Sequence, residues 1–253
     1  NQPDNAAFCF YTGNMALSAS PQNLLRLFLT FVCPGCGGRR GENEYLCPWC
    51  RQRIDPCRRV HWSRTGASFN PVSSPGKSEE LSSGISIYSA ALYRGLPREI
   101  VLRIKFNGEK YLARVAAEMI LRNSIAIPEA DDILVPVPAG RKRIRERGYN
   151  QSHLIAEALA SRVGAKNLNL LCRGDGRSQV GLSVAERRSN VRGVFSLRKR
   201  RKVPADVHIW LIDDVATTCS TLDSASEILL KSGAESVTGL TLTYRKQVAG
   251  SIV

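Results

Sequence analysis

Ile209-Trp210-Leu211-Ile212-Asp213-Asp214-Val215-Ala216-Thr217-Thr218-Cys219-Ser220-Thr221-Leu222 brings together an unbroken apolar run, two adjacent acids and a loop of small hydroxyl residues. Ile209 to Ile212 have the pattern of a strand buried on both faces of a parallel sheet, where polar alternation disappears. Leu222, Ala225 and Leu229 then share one helix face, and Gly233 is placed to end that helix. The order strand, acidic pair, hydroxyl loop, helix sets the loop beyond the carboxyl end of a strand, where open α/β sheets bind ligands. A helix start there offers unpaired N–H groups and the positive end of the dipole, so a phosphate fits over Thr217 to Thr221. Ionised Asp213 and Asp214 are pure acceptors and hard oxygen ligands, suited to sugar hydroxyls or Mg2+.

Each part taken singly has a plainer reading. Paired Asp after a strand often does no more than cap a helix, and a Thr/Ser loop is often an ordinary turn. A nucleotide hydrolase would need a separate G-x-x-x-x-G-K-[ST] cradle. The chain's Gly76-Lys77-Ser78 has Pro71 where the first glycine belongs, which sets that reading aside.

Taken whole, Asp213-Asp214-Val215-Ala216-Thr217-Thr218-Cys219-Ser220-Thr221 resembles the phosphoribosyl pyrophosphate (PRPP) motif of type I phosphoribosyltransferases. The resemblance implies that Asp213 and Asp214 hold the ribose and carry catalysis. It also implies that Ala216, Thr217, Thr218, Cys219, Ser220 and Thr221 wrap the 5′-phosphate, with Mg2+ accompanying PRPP. Cys219 stands where that family usually has glycine.

The 253 residues are 43% apolar, enough for one sizeable domain with a small appendage. A formal charge of +14 in clustered Lys and Arg favours polyanionic partners, whether nucleic acid, membrane surface or phosphorylated substrate. Cys33-Pro-Gly-Cys36 and Cys47-Pro-Trp-Cys50 give C-x2-C-x10-C-x2-C, two tight knuckles able to offer four thiolates to one tetrahedral Zn2+. Four thiolates leave no open coordination position, so the expected zinc is structural. No apolar stretch reaches bilayer length, and Leu24 to Val32 is short and interrupted by Arg26, so the expectation is a cytoplasmic protein without membrane insertion.

In chain order, residues 1–20 form an N-terminal extension of no assigned structure, and 21–62 a short helix followed by the zinc ribbon. Residues 63–84, rich in Ser, Pro and Gly, have linker composition, and 85–253 form the main domain. Within it, Ile85 to Leu92 and Ile133 to Pro138 are expected strands, and Pro97 opens a helix closed by Lys105-Phe106-Asn107-Gly108. A second helix runs from Glu109 to about Arg122, a third from Asn150 to Gly164, and Val237 to Tyr244 is a final strand. The prolines of the second strand place its end at a sheet margin or bend it into a loop.

Arg141-Lys142-Arg143-Ile144-Arg145-Glu146-Arg147 follows that strand as a charged segment beside a helix start, fit to grip phosphate oxygens. The strand with Pro-x-Pro, these arginines and Arg147-Gly148-Tyr149-Asn150-Gln151 together resemble the signature of the ComF family, phosphoribosyltransferase-like proteins linked to DNA uptake in natural competence. Gln179-Val180-Gly181-Leu182-Ser183 with Glu186-Arg187-Arg188 is similar to the family's next block, implying a flap over PRPP that carries Arg187 and Arg188. The resemblance implies pyrophosphate contacts from Arg141, Arg145 and Arg147. The expected architecture is a type I phosphoribosyltransferase-like, mainly parallel sheet flanked by helices, with a small N-terminal zinc ribbon. The expected function is PRPP and Mg2+ binding, leaning to phosphoribosyl transfer, in DNA uptake and natural transformation. The alternative is a protein that binds single-stranded DNA through ribbon and basic clusters, keeping the PRPP site only as a non-catalytic fold or as a regulatory sensor, with DNA-uptake machinery as a further partner.

Overall fold

The computed structural model describes residues 32–42, 44–57, 59–61, 85–174 and 194–245. The expected helix over Leu24 to Phe31, the linker at 63–84 and the flap with Arg187 and Arg188 lie outside the described residues. The main sheet contains β1 (Arg59–His61), β2 (Ser86–Leu92), β3 (Ile133–Pro136), β4 (Lys166–Asn167), β7 (His208–Ala216) and β8 (Ser236–Tyr244). Their spatial order is β1-β2-β8-β7-β3-β4, and every neighbouring pair is parallel except β1 against β2. A separate antiparallel ribbon joins β5 (Leu171–Arg173) to β6 (Phe195–Leu197).

β7 explains its own apolar run. It is paired along its length by β8 and over Ile209 to Ile212 by β3, and its side chains alternate between two buried faces. Ile209 and Leu211 join Ile87, Val135 and the apolar face of α6 (Ser220–Lys231), made by Leu222, Ala225 and Leu229. Trp210 and Ile212 join the opposite core with α2 (Gly95–Phe106), α3 (Leu112–Asn123) and α5 (Gln151–Val163). Helices therefore cover both faces, the arrangement a mainly parallel sheet requires. Between β2 and β8 the approach is close: a Cβ on Gly239 would lie 3.0 Å from Ile87 Cγ1.

The helix boundaries follow from local chemistry. α3 buries Leu112, Val115, Ala116, Met119 and Ile120 at the expected helical spacing. It begins at Leu112, three residues after the expected Glu109, whose carboxylate accepts from Nε and Nη2 of Arg103 of α2 at 2.8 and 2.5 Å. Asn150 caps α5 by accepting from Ser152 N at 3.3 Å, and Gly164 at φ 80° ends it. The charged segment after β3 is a short helix, α4 (Arg141–Arg147), closed by Gly148 at φ 78°. It buries no side chain, so no apolar periodicity announced it. β4 pairs only with Ile133 and Leu134, so Pro136 has a strand neighbour on the β7 side alone and its missing N–H costs no ladder bond.

The cysteine knuckles are built into this body. Cys33, Leu46, Cys47, Cys50 and Ile54 share one core with α2 and α3. Tyr45 N donates to the buried Glu118 Oε2 at 2.9 Å, and Arg103 Nη1 donates to Pro34 O at 2.6 Å. The second knuckle carries α1 (Pro48–Gln52).

Candidate functional site

Beyond the carboxyl ends of β2, β3, β7 and β8 lies a cavity of about 310 Å3 that contains both carboxylates of the acidic pair. β7 continues through Asp213 and Asp214 to Ala216, so the acids stand on the strand itself, anchored by its ladder to β8. Asp213 Oδ1 accepts from Ser152 Oγ at 2.8 Å and from Asp214 N at 2.9 Å. Lys105 Nζ approaches Asp214 Oδ2 to 2.8 Å, an ion-pair distance without hydrogen-bond alignment. Burial, and then the charge of Asp214, push the Asp213 pKa up, while Ser152, the Asp214 N–H and Lys105 oppose that rise.

Thr217, Thr218 and Cys219 are all that separate β7 from α6. So tight a turn from strand to helix sets Cys219 at φ 58°, in the left-handed region that favours glycine. That constraint accounts for glycine at this position in the motif the stretch resembles. Cys219 is buried and its thiol is pushed up to about 12 by burial, then by Asp223, so it stays protonated at neutral pH and serves as packing. Thr217 and Thr221 line the cavity, Ala216 is buried, and the Thr218 and Ser220 hydroxyls bond each other at 2.8 Å.

The arginines are distributed differently from the expectation. Arg143 of α4 and Arg173 of β5 line the cavity, whereas Arg141, Arg145 and Arg147 are not among its lining residues. Arg147 donates to Gln151 Oε1 at 3.2 Å and its guanidinium lies 5.1 Å from the centre of the Phe106 ring. Burial and Arg143 lower the Arg173 pKa, and Asp213 pulls it back. Sequence reasoning also missed Lys105, Ser152, Tyr93 and Arg245 as cavity residues. Lys105 stood within the quoted helix end and Ser152 adjoined a quoted motif, which was the available signal.

The cluster of Cys33, Cys36, Cys47 and Cys50 holds its four sulfurs within 4.8 Å of one another, with Cys36 and Cys47 Sγ 3.6 Å apart. Tetrahedral Zn–S bonds of about 2.3 Å require sulfurs roughly 3.8 Å apart, so the set is compatible with structural zinc. Burial pushes the Cys33 thiol up, but N–H groups led by that of Cys47, 3.4 Å from the sulfur, outweigh it and bring the pKa down to about 7. Cys57 stands outside the cluster, buried, with its thiol pushed up to about 11.

A second, larger groove of about 610 Å3 runs where Tyr45 of the ribbon meets α3 and α5. Its walls include Tyr111, Lys110, Arg114 and Arg162, over a floor of Ala113, Leu154 and Ala158. Among the described residues Glu157 is the one acid lining it.

The chain is similar to the DNA utilization protein YhgH of Salmonella typhi, with 29% identity over 215 residues, 81% of each chain. It is also similar to competence protein F of Haemophilus influenzae, with 31% identity over 54% of this chain and 63% of that protein. Competence protein ComFC of Bacillus subtilis is 31% identical over 62% of each. These similarities are to competence proteins F and ComFC and to DNA utilization proteins. The match spans less than two thirds of the length of competence protein F and of ComFC. No protein-family model matches the chain. Among solved structures, a hypoxanthine phosphoribosyltransferase from Staphylococcus aureus overlaps 57% of this chain and 69% of its own at 11% identity and a TM-score of 0.33. A glutamine PRPP amidotransferase from B. subtilis overlaps 53% and 26% at 20% identity and the same score. These overlaps are slight, and nothing about the site rests on them. Among the described residues no helix is long and apolar enough to cross a membrane.

Because the knuckles share the core of α2 and α3, stripping the cysteine site with a strong chelator is expected to lower the thermal midpoint of the whole protein as zinc is released. Parallel zinc-release and unfolding assays check this. At position 219 the backbone strain can be isolated: Cys219→Gly should be more stable than Cys219→Ala by roughly 1 kcal/mol in chemical denaturation, since both remove the sulfur and only one relieves φ > 0.

Proposed function

We propose that the cavity at the end of β7 binds PRPP with Mg2+, and that this cytoplasmic ComF-like protein acts in DNA uptake and natural transformation, with phosphoribosyl transfer as its chemistry. The observation that carries the reading is the junction of a paired-acid strand end with a helix N-terminus three residues later, inside one cavity lined by cations. The 5′-phosphate rests on the loop from Thr217 to Thr221, whose free N–H groups and α6 dipole suit an anion. The ribose hydroxyls donate to Asp213 and Asp214. Arg143 and Arg173 meet the pyrophosphate, with Arg141, Arg145 and Arg147 spread along α4 at the approach, and Arg187 and Arg188 belong to the covering flap. Mg2+ supplies further positive charge to the pyrophosphate oxygens. As the bond from C1 to pyrophosphate breaks, these residues stabilise the leaving anion and the cationic C1, so the protein acts by placement and charge without a protein nucleophile. Residues 21–62 carry the zinc-held knuckles, which share the core of α2 and α3, and supply β1 to the main sheet; 63–84 serve as the linker and 85–253 as the binding domain. The names of the relatives support the role in DNA uptake.

Calorimetric titration of the zinc-loaded protein with PRPP and Mg2+ is expected to show saturable binding that the Asp213→Asn/Asp214→Asn variant loses. Absence of binding by the wild type overturns the reading. The raised Asp213 pKa adds a pH dependence. Protonation removes an acceptor for the ribose hydroxyls, so affinity should strengthen as pH rises from mildly acidic to mildly alkaline and then level off.

A second reading rests on the groove between Tyr45, α3 and α5. Lys110, Arg114 and Arg162 beside two tyrosines combine backbone-directed charge with ring faces, the chemistry that binds single-stranded nucleic acid. A net charge of +14 favours the same partner. Charge reversal at Arg114 and Arg162 should weaken binding of a fluorescent single-stranded oligonucleotide and flatten the dependence of log K on log salt by roughly 1.4. The Asp213→Asn/Asp214→Asn protein should bind that oligonucleotide as the wild type does; an unchanged salt slope in the charge-reversed protein removes the groove from the interaction.

A further inference from the structure

The cavity contains a charge relation that the PRPP motif does not include. Asp214 is 5% exposed, and its Oδ2 has no aligned hydrogen-bond donor; what faces it is the Lys105 ammonium, 2.8 Å away. Lys105 lies in the last turn of α2 and itself lines the cavity. The other acid near that helix end, Glu109, is occupied by Arg103 at 2.5 Å. The last carbonyls of a helix lack intrahelical donors, which leaves its final turn free to fray unless something else holds it. Here Tyr149 Oη donates to Ile104 O, one residue before Lys105. Lys110 Nζ lies 4.9 Å from the centre of the Tyr149 ring, and Arg147 stacks on Phe106, so both neighbours of the tyrosine bond are clamped as well.

Tyr149 stands three residues before Ser152, the hydroxyl that holds Asp213. One short segment therefore governs both acids: Asp213 directly through Ser152, and Asp214 at one remove through Tyr149, the end of α2 and Lys105. A carboxylate oxygen that accepts a sugar hydroxyl or a metal ion gives up the space and lone pair the ammonium now occupies. The displaced ammonium then faces an anionic ligand in the same cavity. We propose that Lys105 is an exchangeable counter-ion, holding Asp214 in the empty site and passing to a phosphate oxygen of the ligand when the site fills, and that Tyr149 is the positioning residue that keeps it in reach. This rests on the PRPP reading for the ligand, but not for the pairing itself.

The experiment is titration of the zinc-loaded full chain with PRPP and Mg2+, using Lys105→Met, Lys105→Gln, Lys105→Arg, Tyr149→Phe and the Lys105→Met/Tyr149→Phe double variant. Removal of the ammonium by Met or Gln should weaken binding at least tenfold, and Arg should restore part of it. Tyr149→Phe keeps the ring and loses only the hydroxyl; it should weaken binding at least threefold in the wild-type background and not at all in the Lys105→Met background. Wild-type affinity in the Met and Gln variants, or equal loss from Tyr149→Phe in both backgrounds, overturns the proposal, the latter because it marks a merely structural tyrosine. Should the wild type fail to bind PRPP, the proposed function falls. The pairing is then decided without ligand by thermal midpoints of Lys105→Met, Asp214→Asn and their combination: non-additive shifts sustain it and additive shifts overturn it.

Discussion

Two carboxylates side by side at the buried end of a strand are the constraint around which this structure is arranged. Burial and the neighbouring Asp214 charge disfavour the charged form of Asp213. The fold opposes that from two directions. Ser152 and a backbone N–H hold Asp213, and an ammonium from the end of α2 faces Asp214. The two supports come from different helices, so α2 and α5 must both be seated on the same face of the sheet for both contacts to form. That seating is supplied by the core shared by Ile100, Ile104, Met119, Ile155, Trp210 and Ile212.

The cysteine knuckles extend the same chain of dependence. Arg103 donates both to Pro34 O in the first knuckle and to Glu109, just ahead of α3. Tyr45, between the knuckles, donates its N–H to Glu118 on α3. A group that closes the four sulfurs therefore acts on the cavity by stiffening the helix pair that presents Lys105, at a distance from any ligand. Four thiolates with no open coordination position suit that role and no catalytic one.

How far the sequence reveals this differs from residue to residue. Ile209 to Ile212 announced a two-sided buried strand because burial on both faces removes alternation, and the spacing in α3 announced a helix because one face alone is buried. α4 was illegible for the complementary reason: with nothing buried it has no period, and only the left-handed Gly148 marks its end. The short pieces β1, β4, β5 and β6 carry two or three residues each, too few for any pattern. Asp213, Asp214 and the Thr217 to Thr221 loop were visible because one local stretch contains both the ligand-facing atoms and the turn. Lys105, Arg143 and Arg173 were not. Their place in the cavity depends on which way three separate elements face once packed, and each alone is an ordinary basic residue on a basic chain. Choosing Arg143 over Arg141, Arg145 or Arg147 needed the rotation of α4 about its axis.

The shortness of the β7–α6 connection sets the character of the cavity. With three residues between Ala216 and Ser220, the positive end of α6 cannot lie far from the carboxylates of β7, and a left-handed residue at 219 is the cost of that proximity. A longer loop would relieve Cys219 and separate the two. Held together, they make a site with an anion-favouring side and a hydroxyl- or cation-favouring side within one small volume. A simple anion satisfies only the first and a bare metal ion only the second. A ligand that satisfies both has a phosphate at one end and hydroxyls a few bonds away, with any second anionic group directed toward Arg143 and Arg173. The strain at Cys219 is thus a reason to look for a bifunctional ligand, independent of the family the motif resembles.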